Sequence, residues 1–395
     1  MSNEVRGSAE ALGRQGSHGG RNSSFELLRL IAMFMIVAHH HVTHNPFPAF
    51  DQPASINQFA YVFFLSMGKI SVDIFFGISA WFLCESRDLS IRKSLRRIWI
   101  LERQMLFYSL TLMVCFLVFD RKDIMSEQII GSFFPTLYDM WWYPTNYVLF
   151  LLFYPFVTVG LQKMGQRMHA CLAVTLLLVW GLAYGMTPND YAGFLSATFV
   201  SFIYQYVLIA YYRWYMRKAS RALSWSMAGV GALMILAIMV IADLVHLRHG
   251  GPFPRIVFDY LIAEGKLPQL LIAFGCLLIA DRMYIKSRLI NYLARGTFGV
   301  YLIHDYPPVR KVLWSFFDIG KIWGGHGAAV YSLAIVVLVF TVCLVLDLIR
   351  EFLFSRTIDR RRGYWFDLLA DWFQSSPAIV RVRQYLTGLQ KVNTD

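Results

Sequence analysis

Apolar segments long enough to cross the roughly 30 Å hydrocarbon core of a bilayer recur along almost the whole of this 395-residue chain. Ten are legible, over residues 25–42, 59–84, 99–119, 140–161, 169–185, 197–214, 225–245, 266–281, 297–316 and 327–349. In lipid an unpaired backbone N–H or C=O finds no water, so apolar runs of this length fold as helices. The sequence therefore predicts an all-α, polytopic bundle of about ten transmembrane helices. Composition agrees: 57% of residues are hydrophobic, 16% are charged and the mean hydropathy is +0.47.

The formal net charge of +12 would suit a nucleic-acid partner, so its distribution matters more than its size. With the amino terminus in the cytoplasm, the inner segments collect the basic residues of "RDLSIRKSLRR", those from Arg213 to Arg221 and from Arg282 to Arg295, and those beyond Arg350. Only Arg121, Lys122, Arg248, Arg255, Lys266 and Lys321 fall outside. That asymmetry is the positive-inside pattern. It predicts both termini in the cytoplasm, a cell-membrane location and no nucleic-acid partner.

Residues 1–24 read as a disordered cytoplasmic tail, 25–349 as the membrane domain and 350–395 as an interfacial amphipathic tail broken near Pro377. The five cysteines are scattered without CxxC spacing, which argues for packing rather than disulfides or zinc. No loop is long enough to hold a separate catalytic domain, so any chemistry must lie inside the bundle.

The first segment, "FELLRLIAMFMIVAHHHV", carries Glu26, Arg29 and three histidines into an apolar run. Eleven residues separate Arg29 from His40, which places them within about 20° of one another on one helix face and about 16 Å apart along the axis. An extended substrate with an anionic head and a reactive carbonyl would span that distance. Arg29 offers a fork for phosphate and His40 a general base. The pattern also admits a purely structural reading, with Arg29 paired to Glu26 one turn away and His40 bonded to a neighbouring helix. His39 and His41 point to other faces. His40 and His44 share i, i+4 spacing, but no HExxH pattern completes a metal site, and none is expected.

Elsewhere, Lys69 and Asp73 fall at i, i+4 as an expected intramembrane ion pair. Gly77 and Ser79 mark a surface for close helix approach or for an acyl group. Arg96, Arg97 and Arg103 sit near the cytoplasmic end of the third segment, as positive-inside residues or phosphate ligands. "YDMWWYPTNY" places Trp142 in an aromatic belt, and "GTFGVYLIHDYPP" buries His304 and Asp305 just before two prolines that should end or kink the helix.

These stretches resemble the acyltransferase-3 family of membrane acyltransferases over roughly residues 24–350. Arg29 and His40 match its basic residue, ten intervening positions and histidine; "SVDIFFGISAWFL", "RKSLRRI" and "FGVYLIH" are similar to its other motifs. Two positions depart. The family's Ser-Gly reads Ser79-Ala80, and Asp139 stands where a histidine often precedes the aromatic pair. The resemblance implies transfer of an acyl group, commonly acetyl, from cytoplasmic acyl-coenzyme A to a hydroxyl of a bacterial envelope glycan or lipid-linked sugar. His40 and Arg29 would be catalytic, with no separate cofactor. Glu26, Asp73, Ser79, Arg96, Arg97, Arg103, Trp142 and His304 would bind substrate. A transporter or flippase of an envelope precursor is the competing reading, weakened by the lack of an inverted repeat.

Overall fold

The computed structural model describes residues 22–184, 198–249, 261, 265–361, 363–377, 379 and 381. The amino-terminal tail, the loop before the eighth anticipated segment and most of the chain beyond Pro377 lie outside the described residues. No strand occurs among those described.

Among the described residues thirteen α-helices follow one another: α1 (Ser24–Thr43), α2 (Ile56–Leu83), α3 (Ile91–Phe119), α4 (Ser126–Phe133), α5 (Trp142–Leu176), α6 (Thr198–Tyr215), α7 (Arg221–His249), α8 (Leu267–Arg282), α9 (Arg288–Leu293), α10 (Thr297–His304), α11 (Pro307–Phe316), α12 (Ala328–Arg356) and α13 (Tyr364–Ser375). Among the described residues six helical stretches are long and apolar enough to cross a membrane: α1, α2, α3, α5 with its continuation to Ala183, α7 as far as Arg248, and α12. This is an all-helical, multi-pass membrane protein.

Local chemistry explains several boundaries. Ser55, Ser90 and Ser287 precede α2, α3 and α9, and their hydroxyls accept from the backbone N–H groups of Gln58, Lys93 and Ile290. The Ser90 cap starts α3 eight residues ahead of the anticipated position 99, so the basic run is the helix's first two turns and not a loop. The fourth and fifth anticipated segments run through α5, which is broken at Gly165, where φ is +72°. Glycine enters that left-handed region without the steric penalty of a Cβ.

The ninth anticipated segment, 297–316, is not one helix. α10 stops at His304, and Pro307 opens α11 at a position where a missing N–H costs nothing. Tyr306, extended at φ −60° and ψ 127°, takes the conformation that a following proline favours. Among the cysteines, Cys84 and Cys343 are buried but Cys115 and Cys171 face outward, so the packing role expected for all five holds only for some.

α1 packs on α2, α10 and α12, so the helix that carries Arg29 and the histidine run is surrounded by others. α7 and α8 meet at small residues: a Cβ built on Gly275 would lie 2.6 Å from the Ala228 backbone nitrogen. Contact of this kind drives helix association where lipid removes the hydrophobic term. Gly275→Ala should force α7 from α8, costing about 1–3 kcal/mol and lowering the thermal aggregation midpoint of detergent-purified protein. An unchanged midpoint would show that the two backbones are not in contact.

Candidate functional site

Two cavities stack along α1. The first, about 150 Å³, lies against His39, His40, Thr43 and His44 of α1, Gly68 and Lys69 of α2, Trp142 and Tyr143 of α5, and Tyr301 of α10. The second, about 460 Å³, is bounded by Arg29, Ser79, Arg97, Gln104, Tyr147 and Arg295. Phe75, Tyr143 and Phe298 line both. Arg29 and His40 therefore face adjoining spaces, one near each end of the same helix face, as an advance of 100° per residue requires.

Close helix approach builds the upper cavity. A Cβ on Gly68 would fall 2.3 Å from the His39 ring, so only glycine lets α1 and α2 come this near. His39 Nδ1 lies 2.7 Å from the Leu65 carbonyl, to which it donates.

His40 is positioned by hydrogen bonds that also assign its protons. His304 Nδ1 lies 2.6 Å from the Val300 carbonyl oxygen; a carbonyl only accepts, so Nδ1 carries the hydrogen. Neutral His304 then has a lone pair on Nε2, which lies 2.9 Å from His40 Nδ1. His40 must donate there through Nδ1–H, leaving its own Nε2 unprotonated. The tautomers are assigned from the hydrogen-bond partners. Asp305 Oδ1 lies 3.6 Å from His40 Nδ1 and 3.5 Å from His44 Nε2, and Arg310 Nη1 is 3.3 Å from the same oxygen.

His40, His44 and Asp305 present ligand-type atoms within 4.8 Å of one another. Asp305 is held by Arg310 and His40 by His304, so a divalent ion would have to displace contacts already made. The other two histidines of the run diverge, as helical geometry demands: His41 Nε2 lies 3.0 Å from the Ser332 hydroxyl, on the far side from the cavity.

The lower cavity is cationic. Arg29 pairs with Glu26 at 2.5 Å yet remains about a quarter exposed, and both residues also border a third hollow with Asn22 and Arg213. Arg97 stacks over the Tyr154 ring with 5.6 Å to its centroid, and its buried Nη1 has no hydrogen-bond partner. Arg97 lines this cavity, and its guanidinium has the donor geometry that suits a phosphate or other anion.

The other anticipated residues separate. Trp142 lines the upper cavity, with the Lys69 ammonium 4.2 Å from its ring centroid, and Ser79 lines the lower one. His304 lines neither; it is fully buried behind His40. Asp73 is buried too, accepting from Gln205 Nε2 at 2.7 Å and from the Gly265 N–H at 3.2 Å, which ties α2 to α6. Arg96 and Arg103 turn to Asp367 and Asp359 of the carboxy-terminal segment, at 3.2 Å and 2.5 Å, and pin that segment to α3. Charge singled out Asp73, Arg96 and Arg103 and a helix break singled out His304; the first three make contacts between segments of the bundle, and His304 contacts His40.

The residues that sequence reasoning passed over as site members are Lys69, Tyr143, Arg295 and Tyr301. Tyr301 carried a faint signal, lying one turn before His304 in "FGVYLIH".

A family model described as an acyltransferase domain matches residues 22–348. No curated protein and no solved structure matches the chain.

Carbethoxylation of the detergent-solubilised protein with diethyl pyrocarbonate, mapped by mass spectrometry, tests this geometry. Within the histidine cluster, His44, with 28% of its side chain exposed, should label before His40, which is reached more slowly through the cavity, while exposed His326 serves as the reference for full reactivity. His41 and His304, both fully buried, should label only on unfolding. Early labelling of His304 would contradict its place behind His40.

Proposed function

The chain belongs to the acyltransferase-3 family, and from that premise we propose that it moves an acyl group, acetyl in the simplest case, from acyl-coenzyme A to a hydroxyl of a cell-envelope glycan or lipid-linked sugar. The observation that carries this reading is the pair of cavities with shared aromatic walls, one bordered by Arg29 and the other by His40. Coenzyme A is a long molecule with phosphates at one end and a thioester at the other. A cationic hollow leading to a neutral imidazole about 16 Å away along the helix suits it.

In this scheme ten crossings of a bacterial cytoplasmic membrane leave both termini in the cytoplasm, where the donor is made. The domain bounds are those read from the sequence: residues 25–349 form the catalytic bundle, 1–24 the leading tail and 350–395 the interfacial one. Arg29 and Arg97 hold donor phosphate, and Ser79 lies along the pantetheine arm. The acceptor enters from the opposite end, past Thr43 and His44, with Trp142 against its sugar face. The donor is a substrate, and the scheme uses neither a metal nor another cofactor.

The step balances on His40 alone. Its Nε2 takes the acceptor's hydroxyl proton as that oxygen attacks the thioester carbon. The tetrahedral adduct collapses with cleavage of the C–S bond, and the protonated Nε2 returns its hydrogen to the departing thiolate. His304 keeps the ring in the productive tautomer throughout, accepting from Nδ1–H. Nearby Asp305 favours the transient imidazolium, as an acidic neighbour does in hydrolytic triads. A transporter reading is not favoured, because the family concerned is one of acyltransferases.

Binding of radiolabelled acetyl-coenzyme A to purified protein, with ester deposition on envelope glycan as a second readout, tests the proposal. Wild type should bind. His40→Ala should bind equally well and deposit nothing. Arg29→Ala and Arg97→Ala should each weaken binding about 10-fold or more, the loss of one charged hydrogen bond. His304→Ala should slow transfer about 10- to 100-fold with binding intact, and His304→Gln, which keeps an acceptor, should recover part of it. No binding by wild type, or normal deposition by His40→Ala, would overturn the proposal.

A further inference from the structure

Arginines suit the phosphate end of coenzyme A and His40 its thioester, and a neutral stretch lies between them. That stretch, the pantetheine arm, carries two amides. An extended chain advances about 1.2 Å per bond, a third of the reach of one residue. The inner amide, about ten bonds beyond the phosphate, therefore lies about 12 Å from it, and the sulfur, about thirteen bonds beyond, about 16 Å. The second distance equals the rise of about 16 Å from Arg29 to His40. The first reaches the level at which the two cavities adjoin.

Gln104 stands at that level. It follows Arg97 on α3 by seven residues, which places the two within about 20° on one helix face and about 10 Å apart along the axis, and both line the lower cavity. Its amide nitrogen Nε2 lies 3.3 Å from Asp347 Oδ1 of α12. A Cβ built on Gly299 would fall 2.0 Å from Asp347 Cγ, so the α10 backbone rests directly on that carboxylate. Gly299 follows Phe298, which lines both cavities.

Asp347 also fixes which way the amide faces. The residue is fully buried, and its Oδ1 accepts from the Tyr108 hydroxyl and from Arg350 Nε, each at 2.6 Å. A carboxylate surrounded by donors accepts only, so Gln104 must turn its nitrogen arm to it; the other arm is the carbonyl oxygen, an acceptor. Among the residues lining the lower cavity Gln104 is the one side-chain amide. The charged residues of that wall, Arg29, Arg97 and Arg295, can only donate. They suit phosphate and offer nothing to an amide N–H.

We propose that the carbonyl oxygen of Gln104 accepts a hydrogen bond from the inner amide N–H of the pantetheine arm, which makes Gln104 a specificity-determining residue that selects pantetheine thioesters from other thioesters. The inference rests on the acyl-coenzyme A reading above. No bond is made or broken in this contact; it sets how far the arm advances, and so where the thioester stops relative to His40.

Dissociation constants of full-length protein in nanodiscs for two donors that differ in one group test this: acetyl-coenzyme A, and its analogue with a methylene in place of the inner amide N–H. Wild type should bind the analogue about 5- to 10-fold more weakly, the loss of one neutral hydrogen bond. Gln104→Leu should bind acetyl-coenzyme A more weakly by that same factor and bind the two donors within about twofold of one another, the signature of a shared contact in a double-mutant cycle. Gln104→Met, which keeps the length of the side chain, should behave alike. Adenosine 3′,5′-diphosphate, which lacks the arm, should bind wild type and both variants equally. Wild type that binds the two donors equally, a variant that still separates them as wild type does, or a variant that loses affinity for adenosine 3′,5′-diphosphate to the same extent would overturn the amide assignment and leave the acyltransferase reading standing. Wild type that does not bind acetyl-coenzyme A would overturn both.

Discussion

The hydrogen bond between His40 and His304 is the contact on which the rest of the site depends. Two imidazoles 2.9 Å apart share one hydrogen, and which ring owns it is decided a helical turn away, where the Val300 carbonyl can only accept. α10 thereby dictates the protonation of a residue on α1. The constraint works only because α10 ends where it does. Continuing the helix through Pro307 would demand an N–H that proline lacks, and the break lets Asp305 turn to meet both His40 and His44.

Helix packing turns this local arrangement into a path. α1 lies against α2, α10 and α12, and glycine at position 68 lets the α1–α2 contact tighten until His39 covers it. Bulky aromatic residues then keep the interior from closing. Phe75, Tyr143 and Phe298 separate a small histidine-lined space from a larger arginine-lined one while bordering both. Charge follows the same division, with guanidinium groups at one end and neutral rings with a single ammonium at the other. A donor with an anionic head and a neutral thioester matches that gradient.

Much of this was legible from residue order alone. Apolar runs give the all-helical class because lipid leaves no alternative, and Arg29 with His40 share a face because eleven residues close three turns. The break after His304 followed from two prolines. What stayed hidden depends on neighbours far away in sequence. Arg96, Arg97 and Arg103 look alike in "RKSLRRIWILER", yet only Arg97 turns inward; the other two meet acidic residues more than 250 positions later. Asp73 resembled a partner for Lys69 by spacing, but its carboxylate also joins α6 through Gln205. His304 looked like a substrate ligand because a buried histidine before a helix break has the same signature whether it touches substrate or another histidine. Tyr301 could not be separated from ordinary aromatic packing until it was seen to line the His40 cavity.

The central claim, that one helix face grips both ends of a thioester carrier, is tested most directly by a cryo-electron microscopy map of the protein with a non-hydrolysable acetyl-coenzyme A analogue. The account predicts phosphate density beside Arg29 and Arg97, the pantetheine arm passing Phe75 and Tyr143, and the carbonyl analogue beside His40 Nε2. Analogue density lying outside both cavities, or entering with its phosphates toward His44, would contradict it.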